Sequence, residues 1–332
     1  MTQNNTQVQL RCKEFLSDKE FAEIMELQDI CSKKDHTILK LEVDYKLHVS
    51  KTTTERTDQL NEFLYYIDNT LVAYLGICCF GNNISEINGM THPDFRRKGI
   101  FTELFNPAMK EALRRRFSKI LLLSDAASIP GVKFIEHVGG KYNNSEYRML
   151  KTISGNQSTL KEEDINSSTT MKYPITLRSA MKKDKREIEK LNSVFFGDED
   201  PIDDIIENVV DDRAQKSINS DILSNTDDVS PNTSQEELNS TTYMVELADN
   251  IIGKIKVEYS DHDAFIFGFG ILPDFRGKGY GRATLQEVLR LIAVKNISAI
   301  GLDVLCTNRR ALNLYKSFDF EEQSVMNYYQ YQ

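Results

Sequence analysis

Residues 276–282 read Arg-Gly-Lys-Gly-Tyr-Gly-Arg, and the apolar run 264–272 leads into them through Pro273, Asp274 and Phe275. A β-type run that ends in Arg-x-x-Gly-x-Gly and continues into a helical pattern is suited to holding phosphate. Glycine lets the backbone turn tightly and approach an anion closely. Successive N–H groups then converge, and the helix start adds a partial positive charge. Arg276, Lys278 and Arg282 add full charges. A tight turn with solvated basic side chains is the plainer reading of the same residues. A P-loop is excluded, because no Gly-Lys-Ser/Thr follows four residues after a glycine. A dinucleotide fingerprint fits poorly: the preceding strands read as antiparallel, and no acidic residue closes a second parallel strand about 20 residues on.

The motif has a partner earlier in the chain. At an offset of 180, Pro93, Asp94, Phe95, Arg96, Lys98 and Gly99 match Pro273, Asp274, Phe275, Arg276, Lys278 and Gly279. The same offset carries 118–125 onto 298–305 and 128–140 onto 308–320 without a gap. Such fixed-offset similarity marks an internal repeat.

Each copy presents the same elements in the same order. FLYYID and TLVAYLGICCF read as two strands in the first copy, as do TYMVELA and IIGKIKVEYS in the second. They are rich in β-branched and aromatic residues and broken by turn residues. A third strand enters the shared loop, ISEINGM in one copy and AFIFGFGIL in the other. A helix follows. Leu285, Val288, Leu289 and Ile292 define its apolar face in the second copy, and Phe105, Ala108, Met109 and Ala112 in the first. A β-rich run, a short helix and a last strand complete each copy. The polar stretch 151–174 reads as a linker, and 213–240 as a long loop within the second copy.

The bulk composition agrees with a soluble protein of two domains. The chain has 332 residues, with 40% hydrophobic and 27% charged. A net charge of −9 argues against a nucleic-acid partner, which needs a basic surface. The longest apolar run, Leu71 to Phe80, is about half a membrane span, and the first residues lack a signal pattern. The expectation is a cytoplasmic protein with no membrane partner. Its five cysteines, 12, 31, 78, 79 and 306, show no metal spacing and read as reduced thiols, so no metal is expected.

The loop, together with LDVLCTNRRALNLYKSFDFEE at the separation found here, resembles the GNAT N-acetyltransferase superfamily over roughly residues 265–325. The resemblance implies an α/β (α+β) fold of two tandem GNAT-like domains. Each would have a mixed, mostly antiparallel central sheet flanked by helices. Residues 1–152 would be a degenerate copy, 153–171 a linker and 172–332 the catalytic copy. Acetyl-CoA is implied as acyl donor and co-substrate. Arg276, Gly277, Lys278, Gly279, Gly281 and Arg282 would cradle its pyrophosphate, and Gly270, Ile271 and Leu272 would meet its pantetheine. The family's cofactor strand bulges away from its neighbour, and a backbone N–H near Ile271 would stabilise the thioester oxygen. Asn308 corresponds to the residue opening the motif's second helix near the cofactor, and also reads as a plain N-cap. Tyr315 corresponds to the acid that protonates the departing thiolate, and also reads as a core aromatic. A phenol with an ordinary pKa near 10 stays protonated and can donate.

The first copy departs where chemistry needs particular residues. Phe101 stands in the register of Gly281 and is expected to crowd a phosphate. Ser128 replaces Asn308, and Ile135 replaces Tyr315. Pro107 is expected to kink its helix, at about 3 kcal/mol if uncompensated. The first copy is therefore read as non-catalytic, although Arg-Arg-Lys-Gly still offers a cationic turn.

The acceptor is expected to be a primary amine on a small molecule. The stretch 197–212 is acidic and free of basic residues, which would favour a cationic metabolite. A solvated acidic face is the plainer reading. Glu258, near the end of the strand beside the cofactor strand, is the candidate base, with a water-mediated route as the alternative. Two other functions stay open: a protein N-terminal acetyltransferase, because residues 302–315 resemble ribosomal-protein acetyltransferases, and an acetyl-CoA sensor without turnover.

Overall fold

The structure is a computed structural model, and it describes residues 7–53, 57–79, 83–153, 175–196, 240–260 and 262–332. The linker 153–171 (beyond its first residue), the acidic stretch 197–212 and most of the loop 213–240 lie outside the described residues. Two compact units are present. One comprises Met1–Arg148, Leu305–Thr307 and Glu322–Gln332, the other Met149–Val304 and Asn308–Glu321.

The first unit runs β1 (Val8–Lys13), α1 (Asp18–Asp35), α2 (Val43–Thr52), β2 (Glu62–Ile67), β3 (Thr70–Cys78), β4 (Ile84–Thr91), α3 (Ile100–Arg115), β5 (Lys119–Asp125) and α4 (Ile129–His137), and then enters β6 (Lys141–Thr152). Strands β1 to β4 are antiparallel neighbours in chain order, and β4 pairs parallel with β5. One face carries α3, whose Leu104, Phe105, Ala108, Met109 and Ala112 pack on Phe63, Val72, Leu75 and Ile77. The other carries α1, whose Ile24, Leu27 and Cys31 meet Leu64, Tyr66, Tyr74 and Met90. Ser17 and Glu20 close a capping box that starts α1. Helix α3 runs on through Pro107 to Arg115.

The second unit contains β7 (Thr176–Ser179), α5 (Lys185–Phe196), β8 (Ser240–Leu247), β9 (Asn250–Tyr259), β10 (Asp263–Ile271), α6 (Tyr280–Ala293), β11 (Ala299–Leu305) and α7 (Arg309–Lys316). Strands β7 to β10 are antiparallel neighbours, and β10 pairs parallel with β11. Leu285, Val288, Leu289 and Ile292 of α6 are all buried.

Backbone conformation repeats with the sequence. Left-handed φ values occur at Asp68, Asn69, Arg97, Gly99 and Gly139, and again at Ala248, Asp249, Gly277, Gly279 and Asp319. Each second residue lies 180 positions after its counterpart. The pairs at 68–69 and 248–249 are two-residue hairpin turns in which both positions need φ > 0.

The last strand, β12 (Glu321–Gln330), does not pair with β11 of its own sequence copy. It pairs antiparallel with β5, from Met326 opposite Asp125 to Gln330 opposite Leu121. Tyr329 joins the α3-side core of the first unit, and Met326 and Tyr328 cover Leu121 and Leu123. The compact units therefore do not follow the expected division at residue 152. The first takes its closing strand from the end of the second sequence copy.

Candidate active site

Strand β10 is irregular where the loop motif begins. Its register on β9 shifts between Phe267 and Gly270, which marks a bulge, and Gly268 sits there with φ 49°. Pairing with β11 covers only Asp263–Ile266. Beyond Ile266 the two parallel strands have separated. Leu272 N–H donates to the Ile252 carbonyl (2.8 Å). Strand N–H groups alternate in direction, so the N–H of Ile271 points away from β9 toward the side β11 has left. The β3–β4 register in the first unit runs from Ala73–Thr91 to Cys78–Glu86 without a shift.

The loop after β10 is built for close approach. Gly277 (φ 76°) and Gly279 (φ 90°) adopt left-handed conformations, and open space faces the position a Cβ would take at either. Gly279 is the N-cap of α6. Among the described residues, the N–H groups of Gly277 to Arg282 have no backbone acceptor. The start of α6 therefore presents a run of unpaired donors with a favourable helix dipole. Arg276 Nε donates to the Ile271 carbonyl (2.7 Å), fastening the loop to the strand end, while the rest of the guanidinium is exposed. Lys278 is exposed above the Phe275 ring, and Arg282 donates to Ser317 Oγ (2.7 Å).

Gly281 links this loop to α7. A Cβ there would meet Leu314, Phe269 and Ile271 at 3.8–4.0 Å. The next residue of α7, Tyr315, is 7% exposed and stacks edge-on to Phe320. Burial pushes its phenol up to about 12, so it keeps its proton at physiological pH. Its hydroxyl has no hydrogen-bond partner among the described residues. Asn308 caps α7, its Oδ1 accepting from the Ala311 N–H (3.1 Å).

Glu258 stands apart from this group. It pairs with Phe265 and Ser240 and is exposed. Lys254, not Glu258, lies opposite Gly270. At 3.3 Å per residue, Glu258 is about 13 Å further along β9. Nearly sealed Lys254 and Lys256 share its face of the strand, and Lys254 Nζ would lie 2.9 Å from a Cβ on Gly268. Sequence reasoning missed Gly268, Lys254 and Phe195, whose ring lies over Gly270. The doubled glycine in Phe-Gly-Phe-Gly was a legible bulge signal. Nothing in the periodicity of α5 marks Phe195.

The first unit spends the same positions on its own packing. Arg96 Nε donates to the Thr91 carbonyl (2.9 Å), as Arg276 does to Ile271, but its two terminal nitrogens grip Asp35 at 2.8 and 2.7 Å. Phe101, expected to crowd a phosphate, instead turns inward. It lies against Gly89 and meets the Phe134 ring edge-on at 4.9 Å. Ser128 sits at the N-cap of α4 without a capping hydrogen bond, and Ile135 is buried in the core. All five cysteines are free thiols. No described helix is long and apolar enough to cross a membrane.

The profile of the acetyltransferase (GNAT) family matches residues 21–139 and 213–320. The chain belongs to this family and carries two GNAT regions. It is similar to the [ribosomal protein bS18]-alanine N-acetyltransferase of Escherichia coli strain K12, 31% identical over 68 residues, which are 20% of this chain and 46% of that protein. The match thus spans less than half the length of that relative. Similarity of fold extends much further. A GCN5-related N-acetyltransferase from Sphaerobacter thermophilus superposes with a TM-score of 0.67 at 16% identity, covering 97% of this chain and 95% of that one. A tandem GNAT protein from the clavulanic acid biosynthesis pathway gives 0.62 at 11% identity, covering 98% of both.

Proposed function

We propose that the second unit is an acetyl-CoA-dependent N-acetyltransferase acting on a primary amine, and that the first unit is non-catalytic. The observation that carries this is the convergence on Gly281. The donor-rich loop, the freed edge of β10 and the helix bearing a buried, protonated phenol all meet there. Acetyl-CoA fits this arrangement and would supply the activated acyl group. Gly277, Lys278, Gly279, Gly281 and the exposed part of Arg276 would hold its pyrophosphate. Arg282, tied to Ser317, would border that cradle, and Asn308 would border it from the start of α7. Gly270, Ile271 and Leu272 would line the pantetheine, with the Ile271 N–H, the one of the three that faces away from β9, aimed at the acyl oxygen.

The acceptor nitrogen bonds to the acyl carbon as the carbon–sulfur bond breaks. Tyr315 gives its proton to the departing thiolate. The ammonium proton leaves to water, because Glu258, about 13 Å further along β9 than the residue opposite Gly270, is beyond the reach of one bridging water. The acceptor is a small molecule, and the acidic composition of 197–212 favours a cationic one.

A second reading, N-terminal acetylation of a protein, draws on the ribosomal-protein acetyltransferase among the relatives. Thiol release from acetyl-CoA, assayed with the full chain against small amines and peptides, separates the two. Turnover confined to peptides would overturn the small-molecule reading. Tight binding of acetyl-CoA without turnover across both panels would favour a sensor.

A further inference from the structure

Phe195 lies in the last turn of α5, half-buried, in a cluster with Ile188, Leu191, Met244, Ile251 and Leu272. Its ring covers Gly270 so closely that a Cβ on Gly270 would collide with the ring carbons. Gly270 lies just past the bulge of β10 and just before Ile271, whose N–H faces the gap. The first unit solves the same position differently. Its counterpart to Gly270 is Met90, whose own buried side chain fills the space above the strand and joins the α1 cluster. In the second unit the strand has no side chain at this point, and an aromatic ring from a neighbouring helix covers it.

We infer that Phe195 bounds the acyl site of the second unit and restricts it to a two-carbon acyl group. This rests on the proposed transferase reading. A group held at the Ile271 N–H extends along the face of β10 on which Gly270 lies bare. The ring over Gly270 occupies the volume that a third and fourth carbon would need. Gly270 in turn is required by the ring: any larger residue would push Phe195 away or be pushed itself. Phe195 is a specificity-determining residue here, and Tyr315 and the loop remain the acid and the cradle.

The test uses the full chain and acetyl-, propionyl- and butyryl-CoA with one accepted amine. One or two misfit methylenes in an apolar pocket discriminate by roughly 10-fold or more. The wild type is expected to prefer acetyl- over butyryl-CoA by at least about that factor in kcat/KM. Phe195→Ala is expected to bring the ratio to within about 3-fold, mainly by raising butyryl turnover, with the acetyl-CoA KM little changed. Phe195→Leu, which keeps apolar packing on α5, is expected to fall between them and covers the case in which the alanine variant does not fold. A wild type that uses butyryl-CoA as well as acetyl-CoA would overturn the inference. So would a folded Phe195 variant with an unchanged ratio. Calorimetry separates this failure from failure of the transferase reading, because it reads the size limit without turnover. Equal binding of acetyl- and butyryl-CoA by the wild type overturns the role of Phe195, whatever the assay gives. Preferential binding of acetyl-CoA that Phe195→Ala removes supports it, even in a protein that transfers nothing.

Discussion

Phe101 lies against Gly89: a Cβ on Gly89 would be 2.9 Å from Phe101 Cε2. The residues 180 positions later are Gly281 and Phe269, and there the sizes are exchanged. The aromatic ring belongs to the strand, and the glycine to the helix. A Cβ on Gly281 would lie 3.9 Å from Phe269 Cζ. Both units fill the same interface between the cofactor-type strand and the following helix, from opposite sides. In the second unit this leaves the first turn of α6 bare beside the loop. In the first, the helix supplies the ring itself.

The exchange predicts coupled energetics. Gly281→Phe alone should destabilise the second unit by about 1–3 kcal/mol, because Phe269, Leu314 and Ile271 already fill the space. Phe269→Gly alone should cost a comparable amount by leaving a cavity. The double variant should recover a large part of the summed loss. Denaturant unfolding of all four proteins gives the interaction energy, and additive losses would show that the two sites are independent.

Tyr315→Phe should lower kcat by about 10²–10⁴-fold while leaving CoA affinity nearly unchanged, as expected for loss of a proton donor. Burial holds the phenol up to about 12, and the proposed donor role needs its protonated form. The rate should therefore show no decline from this group until pH rises well past 10. A decline near pH 8–9 that Tyr315→Phe abolishes would mean that the phenol titrates far lower than its burial requires.

Acid stability in the first unit should depend on Glu111. Arg114 and Arg115 and the Leu60 N–H all donate to its carboxylate. With Arg114 as the largest cause, they bring it down to about 2. A folded pKa below the unfolded one gives stability that is present above the unfolded value, near 4.3, and is lost as pH falls toward 2. Glu111→Gln should cost on the order of 2–3 kcal/mol at pH 7 and flatten the loss of stability between about pH 5 and pH 2. Melting temperatures across that range check both statements.

Tyr329 should matter to the unit in which it is buried rather than to the sequence copy that encodes it. It is 6% exposed and sits in the α3-side core of the first unit. Tyr329→Ala should cost roughly 3–5 kcal/mol, by analogy with other large aromatic truncations. Hydrogen exchange should rise first at β5, the partner of β12. Exchange rising first at β10 or β11 would contradict the strand assignment.

Local pattern made much of the fold legible. The repeat, the buried faces of α3 and α6 and the loop glycines could be read because each depends on residues near one another in sequence. Gly277 and Gly279 do have the positive φ that their residue type suggested. The placement of β12 could not be read, because alternation in a strand fixes its faces but not its neighbour. The direction of Phe101 was also hidden. Its alignment with Gly281 suggested a clash with phosphate, whereas the glycine that admits it, Gly89, lies on another element. Glu258 was chosen for its strand, and its distance from Gly270 follows from the β9–β10 register. Phe195 was invisible for the same reason: its role depends on a glycine 75 residues away in sequence.

The central claim is that one chain holds one CoA site, in the second unit. Titration calorimetry of the full chain with CoA tests it most directly. One equivalent should bind, and a combined Arg276→Ala and Lys278→Ala substitution should weaken binding at least about 10-fold, since each removes a charge from the proposed phosphate cradle. Lys98→Ala in the first loop should leave the isotherm unchanged. Two equivalents per chain, or a loss of binding with Lys98→Ala but not with the Arg276 and Lys278 substitutions, would contradict the account.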